Sequence, residues 1–255
     1  MRRTAVLLAA CAAIAAGCGG DDTGGSSGST RLVVSAAASM KEALTACAPK
    51  FDKAEDASVK QSFAGSDELA AQIRQGAKVD VYAAANTKLP DQLHKDGLID
   101  TPVKFATNEF VLAVPKGSNI DSIDDLAKPG TKVVIGSASV PIGSYTRETL
   151  AKLPPGREKA ILGNVRSNEP DVKGIVGKLT QGAADAGFVY ITDVNATNGK
   201  LKAIRLPSDL EPQVTYGAGV VSKSSNADLA KKYVDGLTQG DCADALEQAG
   251  FGPAP

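Results

Sequence analysis

The chain has 255 residues, with 28 Lys and Arg against 29 Asp and Glu, and is 43% apolar and 22% charged. That near-neutral balance excludes nucleic-acid binding through bulk positive charge, and the composition is that of a folded protein rather than a disordered one. One His, His94, and four Cys exclude a His-rich zinc site and leave a histidine-dependent triad a single imidazole.

Met1, Arg2 and Arg3 precede a small apolar run from Ala5 to Ala16, too short to span a bilayer but long enough for a signal-peptide core. The run ends Ala15-Ala16-Gly17-Cys18, which resembles the bacterial lipoprotein box, with Ala15 where Leu is more usual. Residues 1–17 are therefore read as a signal peptide and Cys18 as the lipidated residue. Residues 18–30 then form a flexible tether, because Gly19 to Thr30 contains no apolar side chain. Loss of Arg2 and Arg3 leaves 26 basic against 29 acidic groups, a net charge of about −3. The expected location is the extracytoplasmic face of the cell membrane.

From Arg31 strands and helices alternate. Strands are predicted at 31–37, 58–63 and 79–84, and helices at 40–54, 67–75 and 87–96, the pattern of an α/β fold with a mostly parallel sheet. An apolar strand at 108–115 is stopped by Pro115 and opens a second series: strand 131–135, helices 142–153 and 170–180, strand 185–190. A strand at 216–221 and helices at 226–238 and 241–249 complete the chain. Two lobes follow, 31–109 with 213–255 and 110–212, each a sheet flanked by helices. The chain crosses between them near 108–112 and again near 210–215, and such a hinged cleft is a ligand site.

Export places Cys47 and Cys242 in an oxidising compartment. Cys47 shares a helical face with Met40, Ala43, Leu44 and Phe51, and Cys242 shares one with Ala245, Leu246 and Ala249, so both sulfurs point inward. Two buried free thiols satisfy this pattern; a disulfide pinning the first helix to the last is the expected arrangement.

Candidate site residues stand where strands hand over to helices. Ser39 and Ser66 each precede a helical apolar face, and such positions line the crevice at the carboxyl ends of parallel strands. Helix N-termini carry unpaired N–H groups and a partial positive charge, so their convergence favours an anion. Taken singly, each Ser is more simply a helix N-cap. Pro141 and Pro170 mark two further helix starts, with the N–H groups of Ile142 and Val172 free beside the cleft and their side chains in the core. Tyr190 ends a strand at the same edge, where a half-buried packing role is the simpler one.

Six blocks in order carry a resemblance. They are Ala36-Ala37-Ala38-Ser39-Met40, Phe63-Ala64-Gly65-Ser66 with Leu69-Ala70 and Gln72-Ile73, Val79 to Asn86, Val140-Pro141-Ile142-Gly143 with Tyr145, Asp171-Val172-Lys173-Gly174, and Gly187-Phe188-Val189-Tyr190 with Asp193. Over about 31–252 the chain resembles the periplasmic molybdate-binding proteins of ABC transporters. The resemblance implies a type II periplasmic binding protein whose two lobes close on a tetrahedral oxyanion, with no cofactor and no direct protein ligand to the metal. By motif the ion is held by Ser39, Ser66 and the Tyr190 hydroxyl, together with the backbone N–H groups of Ile142 and Val172. Neutral donors suit a dianion that carries no proton at neutral pH. Capture of molybdate or tungstate by a monomer and delivery to a membrane permease follow from the same resemblance.

Asp67 and Glu68 depart from the family pattern. They are read as first-turn carboxylates favoured by the helix dipole, although an acidic acceptor there would suit a protonated phosphate. Sulfate or phosphate is thus the alternative ligand. An exported hydrolase is disfavoured, since no G-x-S-x-G elbow stands between a strand and a helix and His94 lies in a polar helix end.

Overall fold

A computed structural model describes residues 29–255; the leader, Cys18 and nearly all of the tether lie outside the described residues. The first lobe opens with β1 (Thr30–Ala37), a 3-10 turn (Ala38–Met40), α1 (Lys41–Glu55), β2 (Ala57–Ala64), α2 (Ser66–Arg74), β3 (Val81–Ala84), α3 (Lys88–Lys95) and β4 (Val103–Asn108). The chain then crosses at Glu109 into β5 (Phe110–Pro115). A 3-10 turn (Ile123–Ala127), β6 (Val133–Gly136), α4 (Pro141–Ala151), α5 (Pro155–Gly163), β7 (Val165–Glu169), α6 (Val172–Thr180), β8 (Ala186–Tyr190), α7 (Ile191–Asn195) and β9 (Leu201–Arg205) complete the second lobe. The return brings β10 (Val214–Val220), α8 (Ala227–Gly236) and α9 (Asp241–Ala249) back onto the first.

Each lobe is built on a five-stranded sheet, ordered β2-β1-β3-β10-β4 and β7-β6-β8-β5-β9. The expected parallel pairing is present around β1 and β6. The strand arriving from the other lobe runs the opposite way: β10 is antiparallel to β3 and β4, and β5 to β8 and β9. Each sheet is consequently mixed. Helices cover both faces of the inner strands, so Phe110-Val111-Leu112-Ala113-Val114 reads as an unbroken apolar run and all five residues are buried.

Helix α6 begins two residues later than the sequence suggests. Asp171 is extended at φ −155° and its Oδ1 accepts from the Gly174 N–H at 3.0 Å, so Asp171 rather than Pro170 marks the helix boundary. Cys47 and Cys242 form a disulfide, with Cα atoms 4.9 Å apart, fastening α1 to α9 across 195 residues of sequence. His94 is exposed, with Nδ1 3.1 Å from the Ile99 carbonyl oxygen.

Candidate functional site

The N-terminal ends of four helical segments meet between the lobes. From the first lobe come the 3-10 turn leading into α1 and the start of α2; from the second, the starts of α4 and α6. They surround a small cavity of about 20 Å³ lined by Ser39, Ser66, Ile142, Val172 and Tyr190, all less than 5% exposed. The five candidate residues are thus brought together from both lobes.

Neither serine caps its helix: Gly65 precedes α2, Ala37 precedes the 3-10 turn, and neither segment has a side-chain cap. The hydroxyls have other partners. The Ala85 N–H donates to Ser66 Oγ at 3.1 Å, and since an amide only donates, the Ser66 hydrogen is left for another acceptor. Ser39 Oγ lies 2.9 Å from Tyr216 Oη in a buried contact. Tyr190 is 1% exposed, and its hydroxyl has no hydrogen-bond partner among the described residues. A buried orphan hydroxyl costs about 1–3 kcal/mol, so its persistence beside a cavity points to a partner that arrives from outside. Burial, reinforced by Tyr216, Tyr145 and Asp193, pushes the Tyr190 phenol well above its ordinary pKa and keeps it a protonated donor.

Backbone supplies the remaining donors. Pro141 is the first residue of α4, where its missing N–H costs nothing, and the Ile142 amide follows in the unpaired first turn. The Val172 amide is the first of α6, directly after the Asp171 cap, and also lies in an unpaired first turn. Among the described residues no Lys, Arg or Glu lines the cavity, and the single acidic one there, Asp171, has one carboxylate oxygen committed to Gly174. Asp67 is not among the lining residues.

One charged cluster stands just outside. Lys173 Nζ reaches Glu42 Oε2 of α1 at 2.8 Å, across the lobes, and Asp193 Oδ1 at 3.1 Å within its own lobe. Burial alone would lower the Lys173 pKa, but Asp193 and Glu42 overcome it and the net direction is upward. Asp193 is fully buried and its carboxyl is pushed up to about 6 by desolvation, against the pull of Lys173.

The sequence profile described as bacterial extracellular solute-binding protein matches residues 32–252. The chain belongs to that family. Among similar solute-binding proteins, molybdate-binding protein ModA of Mycobacterium tuberculosis H37Rv is 36% identical over 220 residues, spanning 85% of this chain and 82% of that protein. ModA of Escherichia coli K12 is 31% identical over 226 residues, spanning 85% and 86%. Both are solute-binding proteins, not enzymes. The structure of the Azotobacter vinelandii periplasmic molybdate-binding protein matches with a TM-score of 0.77 at 21% identity, covering 86% of this chain and 98% of that one. That agreement establishes the two-lobed type II fold.

Three residues at the hinge escape a reading of the sequence. Tyr216, Asn108 and Thr192 flank the points where the chain changes lobe or leaves β8, and they are joined by hydrogen bonds to Ser39. Only Asn108 ends a strand, and no local pattern marks Tyr216 within β10 or Thr192 within α7. Gly65 stands in a motif block of the sequence, but its close approach to the second lobe depends on tertiary structure.

Proposed function

We propose that this solute-binding protein captures molybdate, and tungstate with it, between its lobes and delivers the ion to an ABC permease. Ser39, Ser66 and Tyr190 would donate through hydroxyls and Ile142 and Val172 through backbone N–H groups, with no cofactor and no protein atom bonded to the metal. Anchoring through a lipid on Cys18 at the extracytoplasmic face fits the same role, because a tethered monomer stays within reach of its permease.

The observation that carries this reading is the buried, partnerless hydroxyl of Tyr190 beside a cavity where Ser39, Ser66 and two helix-start amides can donate and Asp171 is the one acidic group. A fully deprotonated tetrahedral dianion accepts at every oxygen, so donors alone satisfy it. Fixed dipoles at helix N-termini neutralise it without Lys or Arg. A protonated phosphate brings an O–H for which the cavity offers only the Asp171 carboxylate, one oxygen of which is already committed to Gly174. Kinship with the molybdate-binding relatives supports the choice of ion.

Thermal melts of the purified chain with molybdate, tungstate, sulfate and phosphate test the proposal. Ligand at about 1,000 times its dissociation constant adds roughly 4 kcal/mol of stability. Stabilisation by molybdate and tungstate is expected. Stabilisation by sulfate or phosphate alone would replace the proposed ion, and no response to any would overturn the oxyanion reading.

A further inference from the structure

We propose that Tyr216 and Asn108 are positioning residues that fix the direction of the Ser39 hydroxyl, so that its hydrogen is presented to the bound anion. This rests on the oxyanion reading and goes beyond it, because neither residue is part of the proposed ligand shell.

The direction follows from donor and acceptor chemistry alone. Asn108 Oδ1 accepts from the Glu109 backbone N–H at 2.9 Å, which settles the orientation of its amide. The Asn108 NH₂ group therefore donates, to Thr192 Oγ1 at 2.9 Å and to Tyr216 Oη at 3.3 Å. Tyr216 Oη is now an acceptor toward Asn108, and among the described residues its other partner is Ser39 Oγ at 2.9 Å. Tyr216 is completely buried, so its own hydrogen has to go to Ser39 or be left without an acceptor. Burial first, with Asp193 adding to it, holds the phenol well above its ordinary pKa, so that hydrogen is present at neutral pH. Ser39 Oγ consequently receives a hydrogen bond and has its own hydrogen free. Ala85 does the same for Ser66, and the two serines enter the cleft as matched donors.

The chain of bonds also spans the hinge. Ser39 and Tyr216 belong to the first lobe, Thr192 follows Tyr190 in the second, and Asn108 sits at the crossing. Orientation of Ser39 is thereby tied to the lobe arrangement in which the network is complete.

Calorimetric titration of the purified chain with molybdate, tungstate, sulfate and phosphate tests this on the wild type, Tyr216→Phe, Ser39→Ala and the double variant. Tyr216→Phe keeps the ring and removes the oxygen; it is expected to weaken binding about tenfold. In the Ser39→Ala background the same change should alter affinity by less than about twofold, because the group it directs is gone. A purely structural role would give equal losses in both backgrounds and overturn the proposal, as would unchanged affinity in Tyr216→Phe. Asn108→Leu is the second variant. It removes the donor that holds the Tyr216 hydroxyl in register with Ser39 and should weaken binding in the wild type while staying silent beside Ser39→Ala. If the wild type binds none of the four ions, the oxyanion reading falls and this inference with it; if it binds one and the variants behave additively, only this inference falls.

Discussion

Gly65 of the first lobe lies against Pro170 of the second, so closely that a methyl group built on Gly65 would stand 2.5 Å from the Pro170 carbonyl oxygen. The Val140 Cγ1 atom, also of the second lobe, would be 3.3 Å away. These two contacts exist only with the lobes together; Asp67 Oδ1 of the same lobe, 2.9 Å from that methyl, is a side-chain end that can turn aside. Gly65→Ala should therefore leave the unliganded protein folded and as stable as the wild type, while closure pays an overpacking cost of about 1–3 kcal/mol. The expected result is a 10- to 100-fold loss of oxyanion affinity by calorimetry, with an unchanged melting temperature without ligand. A lowered melting temperature and intact affinity would mean that the glycine serves its own lobe instead.

Tyr190→Phe and Ser66→Ala should separate in the absence of ligand. The Tyr190 hydroxyl has no protein partner, so removing it relieves an unsatisfied buried group and should leave the unliganded protein equally or slightly more stable, while binding weakens. Ser66→Ala strands the Ala85 N–H and should cost about 1–3 kcal/mol of stability as well as affinity. Paired denaturation and titration experiments read both effects.

Most helices, the central strands and the edge strand β2 were legible because their patterns are strong; the short helices α5 and α7 were not. The predicted strands at 31–37, 58–63 and 185–190 correspond to β1, β2 and β8 within a residue at each end. The strands that escaped, β4 (VKFATN), β7 (VRSNE) and β9 (LKAIR), are all at sheet edges. An edge strand packs against fewer neighbours and carries polar residues on its open side, which weakens the apolar signal by which strands are recognised. The same logic divides the site. Ser39, Ser66, Ile142 and Val172 were visible because a strand-to-helix junction is a local feature. The bond from Ser39 to Tyr216 joins positions 177 residues apart and has no local signature.

Asp193 makes a specific contribution to pH dependence. Its carboxyl is raised to about 6 in the folded protein, above its ordinary value of 3.8, so between those values the folded state holds the proton and the unfolded state does not. Stability from this group is present at low pH and is lost as pH rises from about 4 to 6, by on the order of 3 kcal/mol. Chemical denaturation across that range should show Asp193→Asn lacking this decline. Parallel pH curves for the variant and the wild type would contradict the assignment.

The Lys173–Glu42 pair joins the lobes near the cleft, with the two side chains 26% and 49% exposed. Such a pair contributes a few tenths of a kcal/mol and is screened by salt. Glu42→Gln should weaken ligand binding about twofold at low ionic strength, with the difference fading at high salt. An equal loss at both salt concentrations would point to a contact other than charge.

Central to this account is that five neutral donors, contributed by both lobes, enclose a tetrahedral oxyanion. Anomalous diffraction at the molybdenum absorption edge, from crystals of the protein grown with molybdate, addresses it most directly. The account predicts a single strong anomalous peak between Ser39, Ser66, Ile142, Val172 and Tyr190, with a ligand oxygen within hydrogen-bonding distance of the Tyr190 hydroxyl. A liganded crystal with its peak elsewhere, or with Tyr190 still unpartnered, would contradict it.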